Sequence, residues 1–273
     1  MLNSSQSSDL DISEFDELLN EPEVEKIKAA SSRGVPDQTE RLNWDFAIAA
    51  DSQNRHYALE TSDALKRVRM EAGRYCRARK NLLEARSRGG LEGTLEKVVA
   101  TFLAQHGEVD YSPALVILCG PFAFAMSMEC DVYYCFERLM SQLDDHFAVH
   151  DINEHMSNFL MLFRTLLPDL YSHFEDEEVD FKEWAGSWLK NLLAKELPLD
   201  CLLRLWDTYF STTDGLTLHV YVCLSMLSYC KDSLEELEQS EIRSMLAKLP
   251  PVNMDQASPS AFSPSFRHYW APF

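Results

Sequence analysis

Between residues 66 and 80 the chain concentrates cationic side chains: Lys66, Arg67, Arg69, Arg74, Arg77, Arg79 and Lys80. The molecule around them is acidic, with 25 Lys+Arg against 44 Asp+Glu and a formal net charge of −19. A basic run is most often a solvated helix face. Against so negative a background it is also the place where phosphate oxygens could be met by guanidinium groups. Other chemistries find little support. The eight histidines form no HExxH and the seven cysteines no CxxC, so no zinc ligand set is expected. No GxxxxGK[ST] or GxGxxG loop is present to cradle a nucleotide, and no GxSxG elbow to present a serine. The residues therefore predict no metal, no cofactor and no self-contained reaction centre. A cation without a reaction centre can still act inside the active site of another protein.

The elements that must position these residues are helical. Apolar positions recur at helical spacing, alternating runs are few, and glycines number nine, so an all-α fold is expected. The basic run lies on a helix expected from about residue 61 to 79. After an RSRGGLEG loop (86–93), an amphipathic helix over 95–104 should end at His106-Gly107 in a glycine cap. Tyr111 and Pro113 introduce an apolar segment to Met128, and helical periodicity continues over 131–143 and 154–167. Pro168 should stop the last of these, before an acidic loop at 175–178. The densest apolar stretch is WAGSWLKNLLAKELPLDCLLRLWDTY, residues 184–209. Trp184, Trp188, Leu189, Leu192 and Leu193 predict one helix face, ended by Pro198, and a second helix follows with Trp206 and Asp207. This hairpin is the expected centre of the core, with Asp207 structural and Trp44, Trp184, Trp188 and Trp206 buried. Residues 211–215 read as a turn in which Gly215 takes a positive φ. A buried helix over 216–230 and an amphipathic one over 234–249 complete the fold before Pro250-Pro251.

Composition bounds the rest. The 273 residues suffice for one large domain, and 46% hydrophobic with 25% charged is ordinary globular usage. The expected organisation is an acidic, disordered arm at 1–32, one multi-helix domain at 33–251, and a Pro/Ser/aromatic tail at 252–273. Within the arm, Ile12, Phe15, Leu18 and Leu19 could form a short amphipathic turn against a protein partner; in the tail, Trp270 or Phe273 could dock. Order should begin at RGVPDQTERLNW, a bend leading into a helix that carries Arg41 and Trp44, with a loop at 51–55. Cys76, Cys119, Cys130, Cys135, Cys201, Cys223 and Cys230 sit mostly in apolar runs, as buried reduced thiols do. No signal peptide opens the chain and no segment reads as a membrane span, so a cytoplasmic protein is expected. The net charge repels nucleic acid and anionic lipid.

Several of these segments together resemble the TBC domain of Rab GTPase-activating proteins. RGVPDQTERLNW resembles its opening RGxPxxxRxxxW; Val68, Glu71 and Arg74 fall at the spacing of IxxDxxR; DVYYCFERLM, FRTLLPDLYSHF and KNLLAKELPLDCLLRLWDTY follow in the family's order. The likeness spans about residues 33–250. It implies an all-α fold and a Rab-type small GTPase as partner, with recruitment to membranes through that GTPase. It also implies two fingers: Arg74 as the arginine that stabilises charge on the transferred phosphoryl group, and a glutamine in a YxQ motif that orients the attacking water. An arginine supplied in trans is worth roughly 10³–10⁵ in rate. Glu71 replaces the motif aspartate, as a carboxylate able to hold the arginine helix in place. The YxQ position reads Tyr111-Ser112-Pro113, so the glutamine finger is lost, and proline has no side-chain hydrogen-bonding group. Three readings of the site stay open. Binding of the GTP-bound GTPase could come with weak or absent stimulation, as a pseudo-GAP; Arg74 could activate with the help of the GTPase's own glutamine; or Arg74 could be a plain surface arginine on a helical scaffold subunit of a larger complex.

Overall fold

The computed structural model describes residues 63–79, 90–149, 151–212 and 215–252. The expectations for the arm at 1–32, the bend with Arg41 and Trp44, the loop at 51–55, Lys80, residues 86–89 of the loop at 86–93 and the tail beyond Val252 lie outside the described residues. The described residues are helical and contain no strand, which is the expected all-α class. The chain divides into two compact units, residues 43–152 with 190–195 and the remainder.

The first unit holds α1 (Asp63–Ala78), α2 (Leu91–Gln105), α3 (Pro113–Ala125) and α4 (Glu129–Val149). On α1, Leu65, Val68, Ala72 and Tyr75 are buried at helical spacing. This stripe packs on α2 and α3, while α2 and α3 both contact α4. Helix α3 is apolar on all sides and buries Leu115, Val116, Leu118, Cys119 and Phe122. Burial pushes the Cys119 thiol well above its ordinary range. A side chain at Gly120 would overlap the Tyr75 phenol ring, so α1 and α3 approach as closely as they do because that position lacks a Cβ. Helix α2 begins at Leu91, inside the expected loop, and its cap is His106 at φ −107°, with Gly107 outside the left-handed region.

The second unit holds α5 (Ile152–Leu166, counted from Asn153), α6 (Pro168–Asp176), α7 (Phe181–Lys190), α8 (Leu199–Ser211), a 3₁₀ turn (Gly215–Leu218), α9 (His219–Leu234) and α10 (Gln239–Ala247). Its core is aromatic. Phe159, Phe163, Phe174 and Trp184 meet edge to face, and Trp184 meets Trp188 at 4.9 Å between ring centroids. Trp188 Nε1 donates to the Leu246 carbonyl at 2.9 Å, tying α7 to α10. Trp206 is buried too, and Asp207 is half-buried.

Five sequence expectations need correction here. Helix α7 ends at Lys190 instead of running to Pro198; Leu192 and Leu193 lie in a turn at φ 48° and 60°. A left-handed non-glycine residue costs about 1–2 kcal/mol, and burying a leucine side chain returns about 1.5–3 kcal/mol. Both leucines are fully buried, so burial wins and the apolar pattern continues through a non-helical segment. Pro198 opens a helix instead of closing one, as the N-cap of α8, whereas Pro168 follows the end of α5 at Leu166 as expected and also opens α6. Within the supposed acidic loop, Glu175 and Asp176 finish α6. Gly215 has no positive φ; its hydrogen is required because a Cβ there would overlap the Tyr209 carbonyl. The span 234–249 is broken between α9 and α10, where Glu238 and Glu241 form a reciprocal capping box.

A buried polar cluster organises this unit. His219 Nε2 lies 2.8 Å from the Trp188 carbonyl, which can only accept, so that nitrogen carries the hydrogen. In the neutral ring Nδ1 is then the acceptor for the Tyr209 hydroxyl, also at 2.8 Å. The Cys223 sulfur is 3.6 Å from Nε2, and burial holds its thiol well above the ordinary range. Replacing the imidazole strands a carbonyl and a hydroxyl in the core, whereas replacing the hydroxyl strands one ring nitrogen. His219→Ala should therefore destabilise by about 3 kcal/mol or more, and Tyr209→Phe by about 1–2 kcal/mol. Urea-unfolding midpoints will check the order of the two.

Candidate functional site

The site is built on α1 by the same spacing that buries its other face. Val68, Ala72 and Tyr75 point into the first unit, which leaves Arg67, Met70, Glu71 and Arg74 along the opposite stripe. The Arg74 side chain is 69% exposed, and its Nη1 lies 3.1 Å from Oε2 of Glu71, which is 16% exposed. Met70 is 56% exposed, a large apolar side chain in water between two arginines. Arg74 therefore points outward into solvent. An arginine packed into the core could not reach another protein's phosphates.

The segment before α3 closes the site from the side. The Tyr111 hydroxyl donates to the Arg67 carbonyl at 3.2 Å. Partial burial pushes its phenol above the ordinary range; the Glu71 charge acts in the same direction, and the Arg67 and Arg74 charges oppose it. All four groups therefore share one electrostatic neighbourhood. Ser112 is extended (φ −131°, ψ 143°) and caps α3, its Oγ accepting from the Ala114 amide at 3.3 Å. Pro113 takes the first helical position, where its fixed φ and missing N–H do no harm. It is exposed and offers neither donor nor acceptor.

The basic run proves to be several separate arrangements. Lys66 pairs with Asp63 at 3.1 Å. Arg69 makes a two-point contact with Glu96 of α2, at 3.0 Å and 2.5 Å, and the carboxylate raises its pKa. Arg79 lies 4.0 Å above the Tyr75 ring and donates to the Ala194 carbonyl at 2.7 Å. Arg77 lies against Gly73 beside Glu92. Within the run, Arg67 and Arg74 are the arginines spaced one turn to either side of Glu71 on α1. Sequence reasoning named Arg67 in the basic run without pairing it with Arg74, and it missed Met70 and the Tyr75–Gly120 contact, which no local pattern signals. Among the described residues no group of three His, Cys, Asp or Glu side chains gathers for a metal ion, and no helix is long and apolar enough to cross a membrane.

The Tyr75 hydroxyl is buried and makes no hydrogen bond. Tyr75→Phe should therefore stabilise the chain by up to about 1 kcal/mol. Gly120→Ala should destabilise it by about 1–3 kcal/mol, because the ring must leave its slot. Thermal melts of the two variants, moving in opposite directions, will check this account of what fixes α1.

Comparison with known proteins gives the same picture. The chain is 29% identical over 170 residues to human TBC1 domain family member 22A, covering 61% of this chain and 33% of that protein. To human TBC1 domain family member 22B it is 33% identical over 131 residues, 46% of this chain and 26% of that protein. The chain thus spans about a third or less of the length of these relatives. Its fold resembles the crystal structure of the Ypt/Rab-GAP domain of Gyp1p, with a TM-score of 0.62 at 20% identity over 89% of this chain and 92% of that one. The Chlamydomonas flagellar RabGAP TBC domain gives 0.64 at 19% identity, over 87% and 85%. The Rab-GTPase-TBC domain family profile matches residues 36–235, and the chain belongs to that family.

Proposed function

We propose that this chain regulates a Rab-type small GTPase by binding its GTP-bound form through the Met70–Arg74 face of α1, with weak or absent stimulation of hydrolysis. The observation that carries the reading is the contrast between two neighbouring positions. Arg74 is exposed and held by Glu71, in the state required of a cation to be delivered to a phosphate. Pro113, at the place of the family's glutamine, is exposed but has no group that could aim a water molecule. Charge stabilisation is on offer and water orientation is not. Both contribute to the barrier for phosphoryl transfer, so losing one removes most of the rate gain without removing the binding surface. Relatives of this chain include Saccharomyces cerevisiae "GTPase-activating protein GYP1", 34% identical over 89 residues that make up 32% of this chain and 14% of that protein. The proposed partner class follows that precedent. The protein would work in the cytoplasm and reach membranes through its GTPase.

Single-turnover GTP hydrolysis across a panel of purified Rab proteins, with binding measured in parallel, tests the reading. The expected result is GTP-dependent binding to at least one Rab and slow stimulation that Arg74→Ala abolishes. Pro113→Gln should raise the stimulated rate by about tenfold or more by restoring the amide. Rates already within the 10³–10⁵ range with proline in place would mean that the GTPase's own glutamine suffices. No binding to any Rab would reject the proposal in favour of a scaffold subunit.

A further inference from the structure

We infer that Glu71 is shared between two arginines, and that Arg67 takes over its carboxylate when Arg74 swings away. The phosphate-directed part of this inference rests on the proposed function; the exchange itself does not.

Glu71 lies three residues before Arg74 and four after Arg67, so both guanidinium groups reach it from adjacent turns of α1. In the free chain it pairs with Arg74 at 3.1 Å. Its side chain is only 16% exposed, and a carboxylate so far withdrawn from water is costly to leave without a cation. An arginine that must leave for a phosphate therefore has to break this pair, and the cost falls on Glu71.

Arg67 is placed to remove that cost. Its side chain makes no ion pair or hydrogen bond among the described residues, while its backbone is fixed by the Tyr111 hydroxyl on its carbonyl. The other cations of α1 cannot substitute. Arg69 is engaged at two points by Glu96, Lys66 by Asp63, and Arg77 lies against Gly73 beside Glu92; just past the helix end, Arg79 is held by Ala194 and the Tyr75 ring. The Tyr111 phenol responds to Glu71, Arg67 and Arg74 together, which puts all three charges within one small neighbourhood. Arg67 is thus a positioning residue: it touches no phosphate, and it holds Glu71 while Arg74 is away.

The exchange is read directly on the full free chain from the Arg67 side-chain Nε–Hε signal by NMR, assigned by its loss in Arg67→Lys. In Arg74→Ala, hydrogen exchange at that Nε–Hε should slow by about twofold, the size of an i, i+4 ion pair on a helix. The slowing should vanish in Arg74→Ala combined with Glu71→Gln. An unchanged rate in Arg74→Ala, or slowing that survives Glu71→Gln, overturns the inference. For a Rab whose hydrolysis is stimulated, Arg67→Gln should lower the maximal rate severalfold and leave the half-saturating concentration unchanged. It should have no further effect in the Glu71→Gln background. An equal loss in both backgrounds makes Arg67 a direct contact of the GTPase and overturns its positioning role. If no Rab is stimulated, the activating function fails, and the NMR measurement still decides the exchange.

Discussion

The ring of Tyr75 lying over Gly120 is the contact on which the site depends. It sets how close α1 and α3 come and how α1 is rotated about its axis. With Val68 and Ala72 on the same buried stripe, that rotation leaves Arg74 no direction but outward. Arg79, stacked on the Tyr75 ring and bonded to Ala194, holds the end of the helix in the same orientation. Arg74 is positioned by packing one residue along the chain from it, and its salt bridge with Glu71 is a later refinement of where the head group rests.

The second unit solves a different problem. Its aromatic core supplies most of its cohesion, yet indole and imidazole groups also carry polar atoms that must be satisfied once buried. Three of them bond to backbone carbonyls, Trp188 to Leu246, His219 to Trp188, and His173 to Leu237 at 3.1 Å, while the buried Trp184 indole N–H has no partner among the described residues. These bonds join segments distant in sequence, so they fix how helices meet where apolar packing alone would tolerate sliding. A Lys231–Asp169 pair at 3.3 Å and the Gln239 amide on Glu177 at 2.9 Å continue the same seam along the surface.

The legible parts of this protein were those written in local spacing. The stripe 65, 68, 72 and 75 gave α1 its buried face, and with it the outward direction of Arg74. The apolar segment that Tyr111 and Pro113 introduce in sequence is a buried helix in the structure, with Ser112 as its N-cap. What misled was chemistry with two structural meanings. Proline suits the first turn of a helix and also forbids its interior, so Pro198 looked like a stop when it was a start, and Pro168 proved to be both. Glycine serves both a left-handed φ and a close approach, and Gly215 needed the second. Leu192 and Leu193 kept an apolar rhythm that a buried turn shares with a helix. The basic run could not be resolved from sequence, because Glu96 and Ala194, which claim two of its arginines, lie 27 and 115 residues away along the chain.

The two buried thiols mentioned above give the molecule an internal pair of reporters. Cys119 sits in the core of the first unit and Cys223 beside the imidazole of the second. Burial keeps both protonated, and only the thiolate is nucleophilic. Alkylation at either sulfur must therefore wait for the surrounding helices to open, and the rate at each site clocks the opening of its own unit. Mass spectrometry of peptides carrying these two cysteines can follow the loosening of the arginine-bearing helices separately from that of the tryptophan-rich ones, without any introduced label.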